Sequence, residues 1–121
     1  MERLGKKLVR TTASNIGHWC PHCNEVHFFR ISRPEGTNYP VWKFDGNIET
    51  PTFTPSMRIS EPVYGKSTIE KQPDGSYRKV NWKTICHYNL TAGIVKFHGD
   101  GPHGRKNVPL PDIPEAWFKG E

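Results

Sequence analysis

Cys20-Pro21-His22-Cys23 puts two thiols on one tight turn, and Cys86, His87, His98, Asp100 and His103 follow in the last third of the chain. Two sulfurs from one compact loop make half of a tetrahedral metal site, and structural zinc sites are filled by Cys and His. Pro21 stiffens the turn, and Trp19 and Phe28 can shield it. The same spacing serves redox dithiols, but those need a helix starting at the second cysteine to lower the thiolate pKa. Glu25-Val26-His27-Phe28 reads as extended instead, which favours metal. For the third ligand Cys86 is preferred to His87, because neighbouring residues of a strand point to opposite faces. His103, in the glycine-rich loop His98–Gly104, is the fourth. The expected site is therefore Cys20, Cys23, Cys86 and His103 around Zn2+, with His87 and His27 as alternates. The plain alternatives are an ordinary buried thiol at Cys86 and a solvent-exposed loop histidine at His103. His18 and His22 are expected in solvent.

A carboxylate near a ligating histidine can fix its tautomer or act as a base toward a metal-bound water. Asp100, in His98-x-Asp100-x-x-His103, and His87 are accordingly the candidate catalytic residues. No complete hydrolase motif accompanies them: there is no H-E-x-x-H, no H-x-E ahead of Pro-Cys-x-x-Cys, and no G-K-[ST] for phosphate.

These residues need a scaffold of turns and short strands. Only 34% of the residues are apolar or aromatic, while 11 glycines and 11 prolines punctuate the 121 positions, which argues for β structure with at most one or two short helical turns. The expectation is one domain over 1–121, an antiparallel sheet or sandwich with long loops, stapled by the metal. Residues 1–15 are read as a loose or edge segment, with a first strand through Leu8-Val9-Arg10-Thr11-Thr12 as the ordered alternative. Val26–Arg33 alternates as a strand. Val41–Phe44 leads into the turn Asp45-Gly46-Asn47, with Ile48 starting the return strand. Pro51-Thr52-Phe53-Thr54-Pro55-Ser56 is assigned to a sheet edge or surface loop, because proline cannot donate to a ladder. Met57–Ser60 is a short strand, and 61–76 is a mobile loop. From Tyr77 to Leu90 one long strand carries Val80, Trp82, Thr84, Cys86, Tyr88 and Leu90 toward the core, with His87 on the opposite face. Thr91-Ala92-Gly93 turns the chain into Ile94–Phe97, Val108–Pro111 is a tail strand, and Pro114–Phe118 forms a closing helical turn.

A net charge of +5 suits association with nucleic acid or another acidic partner, although the basic residues are scattered. No run reaches the ~18 apolar residues of a membrane span and no apolar leader follows the basic N-terminus, so a cytoplasmic, membrane-free protein is expected. Three cysteines are too few for a disulfide framework.

The ordered set Trp19-Cys20-Pro21-x-Cys23, His27, Trp42, Asp45-Gly46, Pro51–Ser56, Cys86-His87, Gly93-Ile94, Phe97, Asp100-x-x-His103 and Val108-Pro109-Leu110-Pro111 resembles a family of small phage- and prophage-encoded proteins of no assigned function. The resemblance spans 16–114. It implies that Cys20, Cys23, Cys86, His87, Asp100 and His103 are distinctive polar positions. The chain departs from that pattern in 61–76, at Tyr88-Asn89-Leu90, and at Gly101, where relatives often carry cysteine. The label ammonia monooxygenase, attached to some relatives, implies a membrane copper enzyme and fits nothing here. The resulting expectation is a phage accessory protein in the host cytosol, not an enzyme, with structural zinc, that binds a host protein or nucleic acid. Its rival is a zinc-dependent hydrolase using Asp100 with His87, His98 or His103. A third reading makes Trp42, Phe53 or Tyr77 stacking platforms for single-stranded nucleic acid, against the simpler view that these aromatics are core.

Overall fold

The computed structural model describes residues 1–120. Its first four strands are β1 (Glu2–Leu4), β2 (Leu8–Thr12), β3 (Asn15–Cys20) and β4 (Glu25–Arg30), which form a meander in that order. A second sheet joins β5 (Lys43–Phe44) and β6 (Phe53–Pro62) to β9 (Trp82–Thr91), β10 (Ile94–Phe97) and β11 (Lys106–Pro109), in the order β11-β10-β9-β6-β5. Between β6 and β9 the chain makes a separate hairpin, β7 (Ile69–Lys71) and β8 (Tyr77–Lys79), and it closes with α1 (Glu115–Lys119). All pairings are antiparallel. The fold is mainly β, as expected.

One apolar cluster joins the inner faces of the two larger sheets. Leu8, Ile16 and Phe29 meet Phe53, Met57, Tyr88, Leu90, Val95, Phe97 and Leu110, and the Phe29 and Phe53 rings stack at 4.2 Å. The period-2 reading of β9 holds where it matters: Cys86, Tyr88 and Leu90 are buried, and His87 lies on the other face. At the far end of that strand Trp82 is exposed, because only the tip of β6 pairs there.

Of residues 1–15, the strand alternative Leu8–Thr12 is what forms: β2 spans it, pairs with β1, and buries Leu8 and Val9. Several other expectations about the connections fail for local reasons. Ile48 does not start a strand, because the Asn47 side-chain oxygen accepts from the Glu49 and Thr50 N–H groups and curls the chain. The 61–76 segment contains ordered structure, with β7 and β8 closed over a turn at Asp74-Gly75. The strand read from Tyr77 to Leu90 is broken at Asn81, whose φ is 59°. The β9–β10 turn, by contrast, falls where the sequence puts it, with Ala92 and Gly93 both at positive φ, and a Cβ on Gly93 would lie 3.0 Å from Thr50 Cα.

The prolines of 51–56 mislead most. Phe53–Ser56 belongs to β6, which is flanked by strands on both sides, and not to an edge. Phe53 pairs with Leu90 and Met57 with Tyr88, so four residues of β6 advance against two of β9. That slip places Thr54, Pro55 and Ser56 out of pairing with β9, where a missing N–H is harmless.

Candidate active site and metal centre

Consecutive residues of β9 serve two different clusters. Cys86 points inward and His87 outward, as neighbours on a strand must.

The outward cluster is a hydrogen-bonded relay. Arg58 pairs with His87 across β6 and β9, and the β6 bulge brings Ser56 onto the same outer face. Ser56 Oγ lies 3.3 Å from His87 Nε2, and His87 Nδ1 lies 2.8 Å from Asp100 Oδ1. A carboxylate can only accept, so Nδ1–H donates to Asp100, and Nε2 is left as the acceptor for the Ser56 hydroxyl. Asp100 is held below the usual carboxylate range, first by the hydrogen bond from His87 and then by the charges of His87 and Arg58. Arg58 Nη2 donates to the other carboxylate oxygen at 2.9 Å. Its 3.5 Å approach to His87 Nδ1 is too long to compete with Asp100.

Surrounding groups fix this relay. Trp42 Nε1–H donates to the Ser56 carbonyl at 3.1 Å and anchors the bulge. The His98 N–H donates to the His87 carbonyl, and the two imidazoles stack with centroids 4.0 Å apart. His98 Nε2 in turn bonds Asn89 Oδ1. The loop turns over His87 at Gly101, where a Cβ would sit 3.5 Å from the His87 nitrogen.

His87, His98 and Asp100 also present ligand atoms within 4.8 Å of one another. Their geometry suits a relay better than a metal. The two rings are nearly parallel, so their in-plane lone pairs do not converge, and both nitrogens of His87 and one of His98 are already in hydrogen bonds.

The inward cluster is built of sulfur. The β3–β4 hairpin presents Cys20 and Cys23, with the Cys23 N–H 3.4 Å from Cys20 Sγ. β9 brings Cys86 Sγ to 3.9 Å from Cys20 Sγ. The ligand atoms of Cys20, Cys23, His27 and Cys86 all lie within 4.8 Å of one another, a set that can hold a metal ion. All three cysteines are free, and Cys20 and Cys86 are buried. The Cys86 thiol donates to Cys20, which pulls Cys20 down and pushes Cys86 up, while burial raises Cys23. His27 Nε2 is buried without a hydrogen-bond partner. An orphaned imidazole nitrogen beside three thiols fits a cation, which would give that nitrogen its missing partner.

His103 approaches this cluster from one side only, with Nε2 3.4 Å from Cys23 Sγ. Its ring also stacks on His22 and meets the edge of Phe97. His18, expected in solvent, is fully buried. It donates from Nδ1 to the Trp19 carbonyl and accepts from the Tyr88 hydroxyl at 2.6 Å, and burial lowers its pKa to about 4, keeping it neutral. Gly17 beside it has no room for a side chain, since a Cβ would lie 2.7 Å from Val26 and Phe28 carbons.

Ser56 is the residue that sequence reasoning missed. It stood in view as the last residue of Pro51–Ser56, and the available signal was proline inside an alternating run, which requires a bulge if the run is a strand. Of the other aromatics proposed as platforms, Phe53 is buried, Trp42 packs edge-on against Phe29, and Tyr77 is exposed on β8. Among the described residues no helix is long and apolar enough to cross a membrane.

No curated protein and no solved structure matches the chain. A family model does, over residues 3–98, and it is described as the bacterial ubiquitination-like system serine protease, BubE. The motif resemblance named phage- and prophage-encoded proteins without a function, whereas the matching family is described by an activity. Ser56 and His87 lie inside the matched stretch and Asp100 just beyond it. The match covers well over half of the sequence, and the chain belongs to the BubE family.

Proposed function

We propose that the chain is a serine protease whose nucleophile is Ser56, with His87 as general base and acid and Asp100 as its orienting carboxylate. The observation that carries this is the continuous relay Ser56 Oγ, His87 Nε2, His87 Nδ1, Asp100 Oδ1, and the family's description as a serine protease supports it. Roles and geometry define such a relay, whatever the fold or chain order. Ser56 Oγ attacks the scissile carbonyl as His87 Nε2 takes the hydroxyl proton. The tetrahedral intermediate collapses, the C–N bond breaks, and the same proton passes from Nε2 to the leaving amine. Water then attacks the acyl-Ser56 ester, giving its proton to Nε2, and the ester bond breaks to release the acid and restore the serine hydroxyl. The register slip takes Ser56 out of pairing with β9, and its N–H is the donor we assign to the developing oxyanion.

The metal in this reading is structural zinc. Three thiolates and one imidazole suit zinc, and four protein ligands leave no open position for water. His27 is taken as the fourth ligand in preference to His103, because its orphaned nitrogen belongs to the foursome. The ion would tie the β3–β4 hairpin to β9 from behind, one residue from His87. This departs from the zinc-hydrolase expectation in placing metal and chemistry on opposite faces. It departs from the accessory-binder expectation in assigning a reaction.

The test is covalent labelling. A fluorophosphonate probe should add one adduct at Ser56, located by peptide mass spectrometry, and Ser56→Ala should abolish it while the protein stays folded. A folded, zinc-loaded wild type that takes no adduct and cleaves no peptide would sink the reading.

A further inference from the structure

Beside the relay lies a cleft of about 350 Å³ lined by Asn89, Lys96, Phe97, His98, Arg105 and Asn107. Resting on the serine-protease reading, we infer that this cleft is a substrate subsite for a carboxylate, carried by the leaving segment of a peptide.

The register places the cleft. Asn89, Lys96 and Asn107 sit opposite one another across β9, β10 and β11, on the same outer face as His87. His98 belongs to both sites, with its ring stacked on His87 and its edge in the cleft. The cleft's chemistry is that of hydrogen-bond donors. The ion pairs among the described residues all lie elsewhere, so Lys96 and Arg105 face the opening with no carboxylate opposite them. Asn89 spends its side-chain oxygen on His98, which turns its amide N–H groups outward. The nearest acid of the site, Asp100, already serves His87 and Arg58. A planar guanidinium, an ammonium and an amide around one opening recognise an anion. The larger cavity, about 390 Å³ between Lys6 and Phe118, differs: its Arg3 is already paired with Glu115, and no relay residue lines it.

Strand order then says which part of the substrate the anion belongs to. Ser56 is on β6, His87 on β9 and Lys96 on β10, so the cleft lies across His87 from the nucleophile. His87 hands its proton to the leaving amine, so the chain beyond the scissile bond runs over β9 toward β10. Two strand spacings come to roughly 10 Å, which an extended peptide covers in about three residues. The recognised carboxylate is therefore an Asp or Glu side chain, or a chain-terminal carboxylate, about three residues past the cleaved bond.

The experiment uses the full chain and a peptide library digested to completion, with cleavage sites read by mass spectrometry. Sites found are resynthesised in pairs: Asp or Glu against Asn or Gln at the third position after the cut, and free acid against C-terminal amide. The readout is the ratio of kcat/KM within each pair. About tenfold or more in favour of the carboxylate is expected for wild type, collapsing toward one in the Lys96→Gln/Arg105→Gln variant. The pair that shows the ratio identifies the source of the carboxylate. Cleavage with no carboxylate preference overturns the subsite and leaves the protease reading standing. Wild type whose Ser56 takes the fluorophosphonate but cleaves no carboxylate-bearing peptide also overturns it. Absence of Ser56 labelling removes the protease reading itself. Salt-sensitive capture of single-stranded DNA through Lys96 and Arg105, without a peptide preference, would reassign the cleft to phosphate and overturn the proposal.

Discussion

The two sides of β9 are built from different chemistry, although their key residues are adjacent. Inward of the strand, Cys86 joins Cys20, His27 and the half-buried Cys23 in a cluster of sulfur and imidazole donors. Outward, His87 joins Ser56, Asp100 and Arg58 through hydrogen bonds at the surface, where Asp100 is 54% exposed. Burial suits the first, because thiolates held away from water bind a cation tightly and exchange it slowly. Access suits the second, because a nucleophile must meet its substrate. Alternation within one strand lets a single backbone segment present both, so a cluster able to hold a metal ion sits one residue from the hydrogen-bonded imidazole. If that comparison is right, damage to one side should spare the other in a predictable direction: loss of the inner cluster disturbs both, and loss of the outer relay leaves the inner one whole.

The largest effect is expected from the inner side. Chelation, or Cys86→Ser, should remove the bound metal and lower stability by several kcal/mol, since structural zinc contributes its binding energy to folding. Elemental analysis and thermal melting before and after chelation check this, and loss of hydrolysis should track loss of fold. Unchanged melting in a metal-free protein would reduce the inner cluster to ordinary packing. Substitution at His27 should cost metal affinity more than substitution at His103, because His27 stands among the three thiols and keeps a buried nitrogen with nothing to bond, which His103 does not.

Next comes the nucleophile. Ser56→Ala should reduce peptide hydrolysis by about a thousandfold or more while metal content and melting stay at wild-type values. Asp100→Asn follows at about a hundred- to thousandfold. The amide cannot hold His87 in the tautomer that leaves Nε2 free, but a half-exposed carboxylate contributes less than a buried one does in the usual triad. A pH–rate profile for this variant and wild type, with substrate saturation, separates lost orientation from weaker binding. Activity retained in Ser56→Ala and lost on brief chelation of a still folded protein would move the chemistry to a metal and break the comparison.

Much of this division was legible from residue types and spacing. Period-2 alternation put Cys86 inside and His87 outside, which is the ground for preferring Cys86 to His87 as a ligand. Asp100 and His87 stand out on the sequence as candidates for chemistry at a metal-bound water, not as partners of a serine. Ser56 was not, because its role depends on a two-residue register slip between β6 and β9, and register is a tertiary property that no local pattern reports. His103 is preferred on sequence because a glycine-rich loop can reach far, whereas the ligand atoms gathered within 4.8 Å include His27 and not His103, a matter of tertiary packing. Within residues 1–15 the strand Leu8–Thr12 was legible, but β1 and the burial of Leu8 and Val9 depend on partners elsewhere in the fold.

A smaller effect should come from Arg58. It makes no hydrogen bond to Ser56 and acts through Asp100, with both partners half exposed. Solvent screening limits such a pair to under about 1 kcal/mol, so Arg58→Gln should lower kcat by about threefold to fivefold and leave KM unchanged. Arg58→Lys should restore part of the loss. The effect should shrink as salt rises, which a merely structural role would not show.

The smallest expected effect lies away from both sides of β9, where Arg3 on β1 grips Glu115 at the start of α1. The guanidinium holds the Glu115 carboxyl below its ordinary value, so the folded state prefers it ionised. A carboxylate depressed on folding stabilises the fold above its unfolded pKa, and that contribution is lost as pH falls through the folded value. Glu115→Gln should therefore melt slightly below wild type at neutral pH, and the gap should close in acid. Both groups are largely exposed, so added salt should narrow the gap as well. Hydrolysis and metal content should be indifferent to the substitution at every pH. A change in either would mean that α1 and β1 support the relay or the metal, and that β9 is not the only strand coupling the two sites.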